Sequence, residues 1–226
     1  MNSKIYELMP HLFTRSEIMI LDFNQIPSDL PEYKNIKKFF DKSQEEGIDP
    51  KLPENRQKFN NEFLQKTGKR YLISRYAEDR IEMLKGSKIA KEGRTIHLGI
   101  DIFSKDLETV YAPCDGEIVV ASREEGSHSF GNYIILKLDP KVSKNFLFLG
   151  HLSKDLPDLG KVSKGQIIAK LGDYINVENG GWSRHLHVQL LKDLPENDLF
   201  VQGYSSRKNL NQNMINYPDT SFLVFS

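Results

Sequence analysis

A second cysteine is missing from this chain, and so are a surplus of either charge and any long apolar run. Cys114, alone, cannot close an internal disulfide, which leans towards a reducing compartment without requiring one. Lys+Arg and Asp+Glu both number 31, so nothing draws the protein to nucleic acid or to an anionic membrane surface. The most apolar early run, Ile18 to Leu21, is far too short for a signal-peptide core or a membrane span. These absences read as a cytoplasmic protein; a leader peptide already removed would make it secreted or periplasmic instead. What is present is an ordinary globular balance, 38% hydrophobic and 27% charged, in 226 residues, which is room for one large domain or a domain with an extension.

Two textures divide the chain. Residues 1–69 read as a helical N-terminal extension, with a short strand over Ile18 to Phe23 and helices over Pro31 to Gly47 and Pro53 to Gly68. Proline near each start and glycine at each end mark the helix limits. Phe59, Phe63 and Leu64 form an apolar stripe suited to packing on the main domain; a partner-docking or substrate-shaping element is the functional alternative. Residues 70–226 read as a β domain with its core at about 94–190. Short alternating runs such as Asn132 to Leu138, Phe146 to Leu152 and His185 to Leu190 are set off by Gly, Pro, Asp and Ser. That pattern predicts a mainly β fold, an antiparallel sandwich or distorted barrel with an open groove. Pro195 to Ser226 reads as a loop wrapping the core, with a closing strand over Phe222 to Phe225.

The chemistry-bearing residues lie on those strands. In Trp182-Ser-Arg-His-Leu-His-Val-Gln-Leu190, His185, His187 and Gln189 alternate with Leu186, Val188 and Leu190, so two imidazoles share a strand face. In His97-Leu-Gly-Ile-Asp101, the histidine and the carboxylate flank Gly99, whose lack of a side chain leaves room for an ion between them. His151 ends an apolar strand. Three ligands with an open position are the layout of a catalytic zinc site, and His97, Asp101 and His187 supply three. His151 and His185 are then available for proton transfer and oxyanion stabilisation. Spacing alone leaves open which histidine binds metal. His11 and His128 sit in polar, loop-like surroundings and are assigned no role.

His97-x-x-x-Asp101, Gly150-His151-Leu-Ser and His185-Leu-His187 together resemble the lysostaphin and LytM type of zinc metallopeptidase. Val110-Tyr-Ala-Pro-x-Asp-Gly-Glu-Ile-Val119, Phe130-Gly-Asn-Tyr-Ile-Ile135 and Val162-x-Lys-Gly-Gln-Ile-Ile-Ala-x-Leu-Gly172 resemble its intervening segments, over about Arg94 to Leu190. The chain departs from the family pattern at Leu149, at Ser183-Arg184 and at Val188. The resemblance implies an antiparallel sheet folded into a narrow groove and zinc bound by His97, Asp101 and His187. It implies that His151 and His185 flank the substrate, one acting as general base and both helping to stabilise the tetrahedral intermediate. The implied reaction is hydrolysis of a peptide bond, commonly in a peptidoglycan stem or cross-bridge. Trp182 and Arg184 are candidates to line the groove, or packing anchors. A competing reading keeps the metal but uses the groove only to bind a peptide or partner. A purely structural zinc site is disfavoured, because such sites take four protein ligands and favour cysteine.

Overall fold

The structure, a computed structural model, describes residues 5–21, 45–47, 49, 52–126, 129–175, 178–195 and 201–225. Among them are twelve strands: β1 (Ile18–Ile20), β2 (Tyr71–Ile73), β3 (Arg94–His97), β4 (Ile100–Ser104), β5 (Thr109–Tyr111), β6 (Gly116–Glu124), β7 (Gly131–Leu138), β8 (Phe146–Leu152), β9 (Gly160–Val162), β10 (Ile167–Lys170), β11 (His185–Leu191) and β12 (Tyr204–Ser206). Eight form one sheet in the order β1-β2-β4-β11-β8-β7-β6-β9, parallel at β1–β2 and antiparallel elsewhere. β10 with β5 and β12 with β3 make separate two-stranded ribbons. The mainly β expectation holds, with the large sheet open rather than closed into a barrel.

Period-2 alternation sorts the side chains of the central strands. Ile100, Ile102, Ile134, Leu136, Leu147, Leu149, Leu186, Val188 and Leu190 turn to the main core, all at most 1% exposed. Each such side chain contributes about 1.5–3 kcal/mol by leaving water. The same core takes in Leu8, Met9 and Leu12, so the N-terminal extension is built into the domain, and β1 adds to its sheet.

The helix expected from Pro53 is α1 (Pro53–Thr67), closed by Gly68 in the left-handed region at φ +66 with its N–H on the Leu64 carbonyl. Phe63 and Leu64 bury against Leu21, Leu72 and Phe103, with Phe59 at the margin. Gln57, 2% exposed, stitches α1 to the sheet: its Nε2 donates to the Ser104 carbonyl (3.1 Å) and its Oε1 accepts from the Arg184 N–H (2.6 Å). The helix expected over 31–47 lies, save its last three residues, outside the described residues, as do the last two residues of the strand expected over 18–23. α2 (Ile81–Leu84) and α3 (Lys88–Lys91) are single turns leading into β3.

The C-terminal segment corrects the loop expectation. It contains β12 and the helix α4 (Leu210–Asn216), and Ser221–Leu223 is a 3-10 turn, not a strand. The Asn-rich α4 has poor intrinsic propensity; tertiary bonds hold it, Asn213 Nδ2 to Ser205 Oγ (2.9 Å) and Lys192 N–H to the Asn216 carbonyl (2.8 Å). No helix among the described residues is long and apolar enough to cross a membrane.

Candidate active site

β4 and β11 pair so that His187 stands directly opposite Asp101 and His185 opposite Phe103. The register therefore makes a cross-strand histidine–carboxylate pair. His97 arrives from another sheet. β3 pairs with β12, placing His97 opposite Tyr204, and the chain crosses to the large sheet through Leu98 and Gly99. A Cβ on Gly99 would lie 2.6 Å from His187 Cε1 and 2.8 Å from the Val188 carbonyl oxygen. The space left by this glycine is thus filled by the His187 ring, not by an ion lying between His97 and Asp101 along one strand.

The three donors converge. His97 Nε2 is 3.2 Å from His187 Nδ1, His187 Nδ1 is 2.9 Å from Asp101 Oδ1, and His97 Nε2 is 3.6 Å from Asp101 Oδ1. Tetrahedral zinc ligands at about 2.0–2.1 Å stand about 3.4 Å from one another. The observed spacings bracket that value.

Protonation states follow from the outer partners. Gln189 Nε2 donates to the Gln202 carbonyl (3.1 Å), which turns Gln189 Oε1 towards His187 Nε2 (2.8 Å). In the tautomer with its proton on Nε2, donated to Gln189 Oε1, His187 turns its Nδ1 lone pair to the side of Asp101 Oδ1, as a metal ligand must. In that tautomer two lone pairs meet 2.9 Å apart, and a cation shared between them would satisfy both. Burial, reinforced by the Arg80 charge, pushes the His97 imidazole well below its usual range, so His97 is not that cation. Burial alone would raise the Asp101 carboxyl, but the His97 imidazole and then the Arg80 guanidinium beside it hold it well below the carboxylate range. The donor set fits a divalent metal.

His151 and His185 form a second pair, ring centroids 4.2 Å apart. His151 sits at φ +64 where β8 and β7 lose register, its N–H on the Phe130 carbonyl and its carbonyl accepting from Gly172. That kink turns the ring towards β11. His151 Nδ1 donates to the Asn179 carbonyl (2.8 Å) and His185 Nδ1 to the Ser183 carbonyl (2.7 Å). Each Nε2 is therefore a lone pair. Burial, then the neighbouring imidazoles, holds His151 well below its usual range, and burial brings His185 down to about 4. Both are neutral bases at pH 7.

All five side chains line one cavity of about 170 Å³, with Arg80, Phe130, Trp182 and Tyr204 in its wall and Arg56 reaching it from α1. Trp182 stands 6.3 and 6.4 Å from the His151 and His185 rings, its Nε1 on the Ser129 carbonyl. Arg184 is not in that wall: its guanidinium is held by Asp173 Oδ2 (2.9 Å) and the Lys105 carbonyl (2.9 Å). Exposed His11 lies away from the cavity, and His128 is outside the described residues. Gln189, Arg80, Tyr204 and Asn179 are site residues that sequence reasoning missed. Gln189 alone had a signal, its place two residues beyond His187 on the same strand face.

Converging nitrogen and carboxylate donors beside two neutral imidazoles are the groups that hydrolysis at a metal site would use. Residues 95–199, a little under half of the chain, match the model of Peptidase family M23. No curated protein matches the chain. Among solved structures, the catalytic domain of the antimicrobial peptidase lysostaphin from Staphylococcus simulans is similar at 24% identity and TM-score 0.37, over 52% of this chain and 80% of that one. The solution structure of lysostaphin is similar at 25% identity and TM-score 0.36, over 52% of this chain and 44% of that one. Helicobacter pylori Csd3 is similar at 22% identity and TM-score 0.33, over 57% of this chain and 31% of that one. The chain thus spans less than half of the last two.

Proposed function

We propose that this protein is a zinc-dependent metalloendopeptidase acting on a peptide, either a peptidoglycan stem or cross-bridge or another small peptide. The observation that carries this reading is the meeting, in one cavity, of the His97–Asp101–His187 donor set with two imidazoles held as neutral bases. The M23 match supports it. A zinc ion held by those three residues would lower the pKa of its water to about 7 and polarise the substrate carbonyl. Of the protein's own groups, His151 and His185 handle the proton. Each starts with an Nε2 lone pair, so each can only accept. One takes the proton of the attacking water as the new C–O bond forms. It becomes an imidazolium whose Nε2–H steadies the developing negative oxygen, then passes that proton to the amide nitrogen as the C–N bond breaks. Phe103 stacked on His185, with ring centroids 4.9 Å apart, and Phe130 near His151 exclude water around both rings.

A second reading, a metal-holding module that binds a peptide without turnover, draws on one feature. The five side chains are at most 4% exposed, and the cavity is smaller than the ~300 Å³ at the low end of small-molecule sites. Reconstitution with zinc and a broad peptide panel separates the two. The first reading expects stoichiometric zinc and cleavage, with His151→Ala keeping zinc and losing cleavage. Failure to take up zinc at neutral pH overturns both readings, and stoichiometric zinc without turnover on any peptide establishes the second.

A further inference from the structure

We infer that Arg80, which lies before the M23-matched segment, is a positioning residue: it pins the Asp101 carboxylate so that a single oxygen faces the metal and a coordination position stays open. The inference rests on the metal-site reading above. Arg80 Nη1 donates to Asp101 Oδ2 at 2.6 Å, leaving Oδ1 as the oxygen that meets His187 Nδ1 and His97 Nε2. The guanidinium cannot follow the carboxylate if it turns. Its Nε and Nη2 both lie 2.6 Å from Glu78 Oε1, and Nη1 also reaches the Tyr204 hydroxyl at 3.3 Å. Glu78 is fixed in turn by the Arg75 N–H on Oε2 (3.2 Å) and by its own carbonyl, which accepts from the His97 N–H (2.9 Å). The Asp101 backbone is clamped as well, its N–H on Ser74 Oγ (2.8 Å) and its carbonyl on the Ser74 N–H (2.9 Å). With the backbone fixed, the bond to Arg80 restrains the side-chain torsions that decide which carboxylate oxygen faces the metal.

Burial argues the same way. Glu78 is fully buried, and Arg80 and Asp101 are each 3% exposed. Charges taken so far out of water are poor stabilisers of a fold, since desolvation offsets their attraction. A buried carboxylate–guanidinium–carboxylate chain that ends on a metal-facing oxygen is better explained by what it orients. A carboxylate free to rotate could chelate an ion through both oxygens and occupy the position that water and substrate need.

Cobalt substitution tests this without reading turnover. The natural chain loaded with Co(II) should show the intense visible bands of a four-coordinate site. Arg80→Met strands Glu78 in the core and risks misfolding, so Glu78→Gln combined with Arg80→Met is the companion variant, and Arg80→Lys tests charge without the fork. In the folded double variant the bands should weaken to those of a higher-coordinate ion, and zinc affinity should fall about 10–100-fold, as for other outer partners of metal ligands. Arg80→Lys should show the same loss. A double variant with the natural spectrum, or with the natural affinity, overturns the inference while leaving the metal site standing. A natural chain that takes up neither cobalt nor zinc overturns both.

Discussion

The trio proposed to bind metal, His97, Asp101 and His187, and the pair proposed to transfer protons, His151 and His185, sit in one cavity but are held in different ways. Side chains orient two of the trio, Arg80 holding Asp101 and Gln189 holding His187, while the buried Nδ1 of His97 meets no hydrogen-bond partner among the described residues. Backbone carbonyls orient the pair, Asn179 for His151 and Ser183 for His185. A carbonyl accepts but never donates, so it enforces one tautomer whatever side chain its residue carries. The metal half is thus open to tuning by substitution of outer residues, whereas the tautomers of the base half are written into the chain path.

The largest effect should separate the two halves outright. His187→Ala removes a donor and should abolish both zinc binding and turnover. His185→Ala leaves the donor set whole; it should keep stoichiometric zinc and lower kcat/KM about 10²–10⁴-fold, the usual worth of a positioned acid–base group. Metal analysis alongside single-turnover assays reads both. Equal loss of zinc from the two variants would erase the division.

Next in size is a change to an outer partner of the trio. Gln189→Leu keeps bulk in a fully buried position but removes the acceptor on His187 Nε2, so His187 is free to carry its proton on Nδ1, facing the metal. Zinc affinity should drop about 10–100-fold, measured by competition with a chelator. An unchanged affinity would mean that cross-strand pairing with Asp101 fixes the ring unaided.

How much of this could be read from the chain follows the same divide. His185 and His187 were legible as a pair because strand alternation is local and a two-residue spacing puts both on one face of β11, whereas His97 and Asp101 were picked out by residue type and stand on strands of different sheets. Even there the reason given for Gly99 differed from the one found, because the chain changes sheets at that residue and a ring from β11 enters the gap. Arg80 had no local signal: its bond to Asp101 spans 21 positions and depends on how the segment before β3 folds against β4. Tyr204 was hidden by the Asn-rich composition that made the C-terminal segment read as loop, and its ring now packs 5.2 Å from His97. Arg184 looked like a groove residue because it adjoins His185, yet Asp173 and Lys105 hold it elsewhere. Adjacency in sequence along a strand places side chains on opposite faces, which is why the neighbour of a site histidine need not join it.

The smallest expected effect sharpens the comparison most. Asn179 is fully buried, and its side chain accepts from the Gly181 N–H (3.1 Å) and the Trp182 N–H (3.2 Å) and donates to the Trp182 carbonyl (2.6 Å). These bonds shape the turn that carries the carbonyl on which His151 rests. Asn179→Ala deletes the side-chain bonds and keeps the carbonyl. Stability to urea should fall by about 1–3 kcal/mol, the cost of leaving buried partners unmet. Zinc affinity should not move, since no bond of the turn reaches His97, Asp101 or His187. Turnover should fall less than in His185→Ala, because His151 keeps its Nδ1 acceptor and hence its Nε2 lone pair. A loss of turnover as deep as that of His185→Ala would show that the base half, too, is oriented by a side chain, and the contrast between the two halves would collapse.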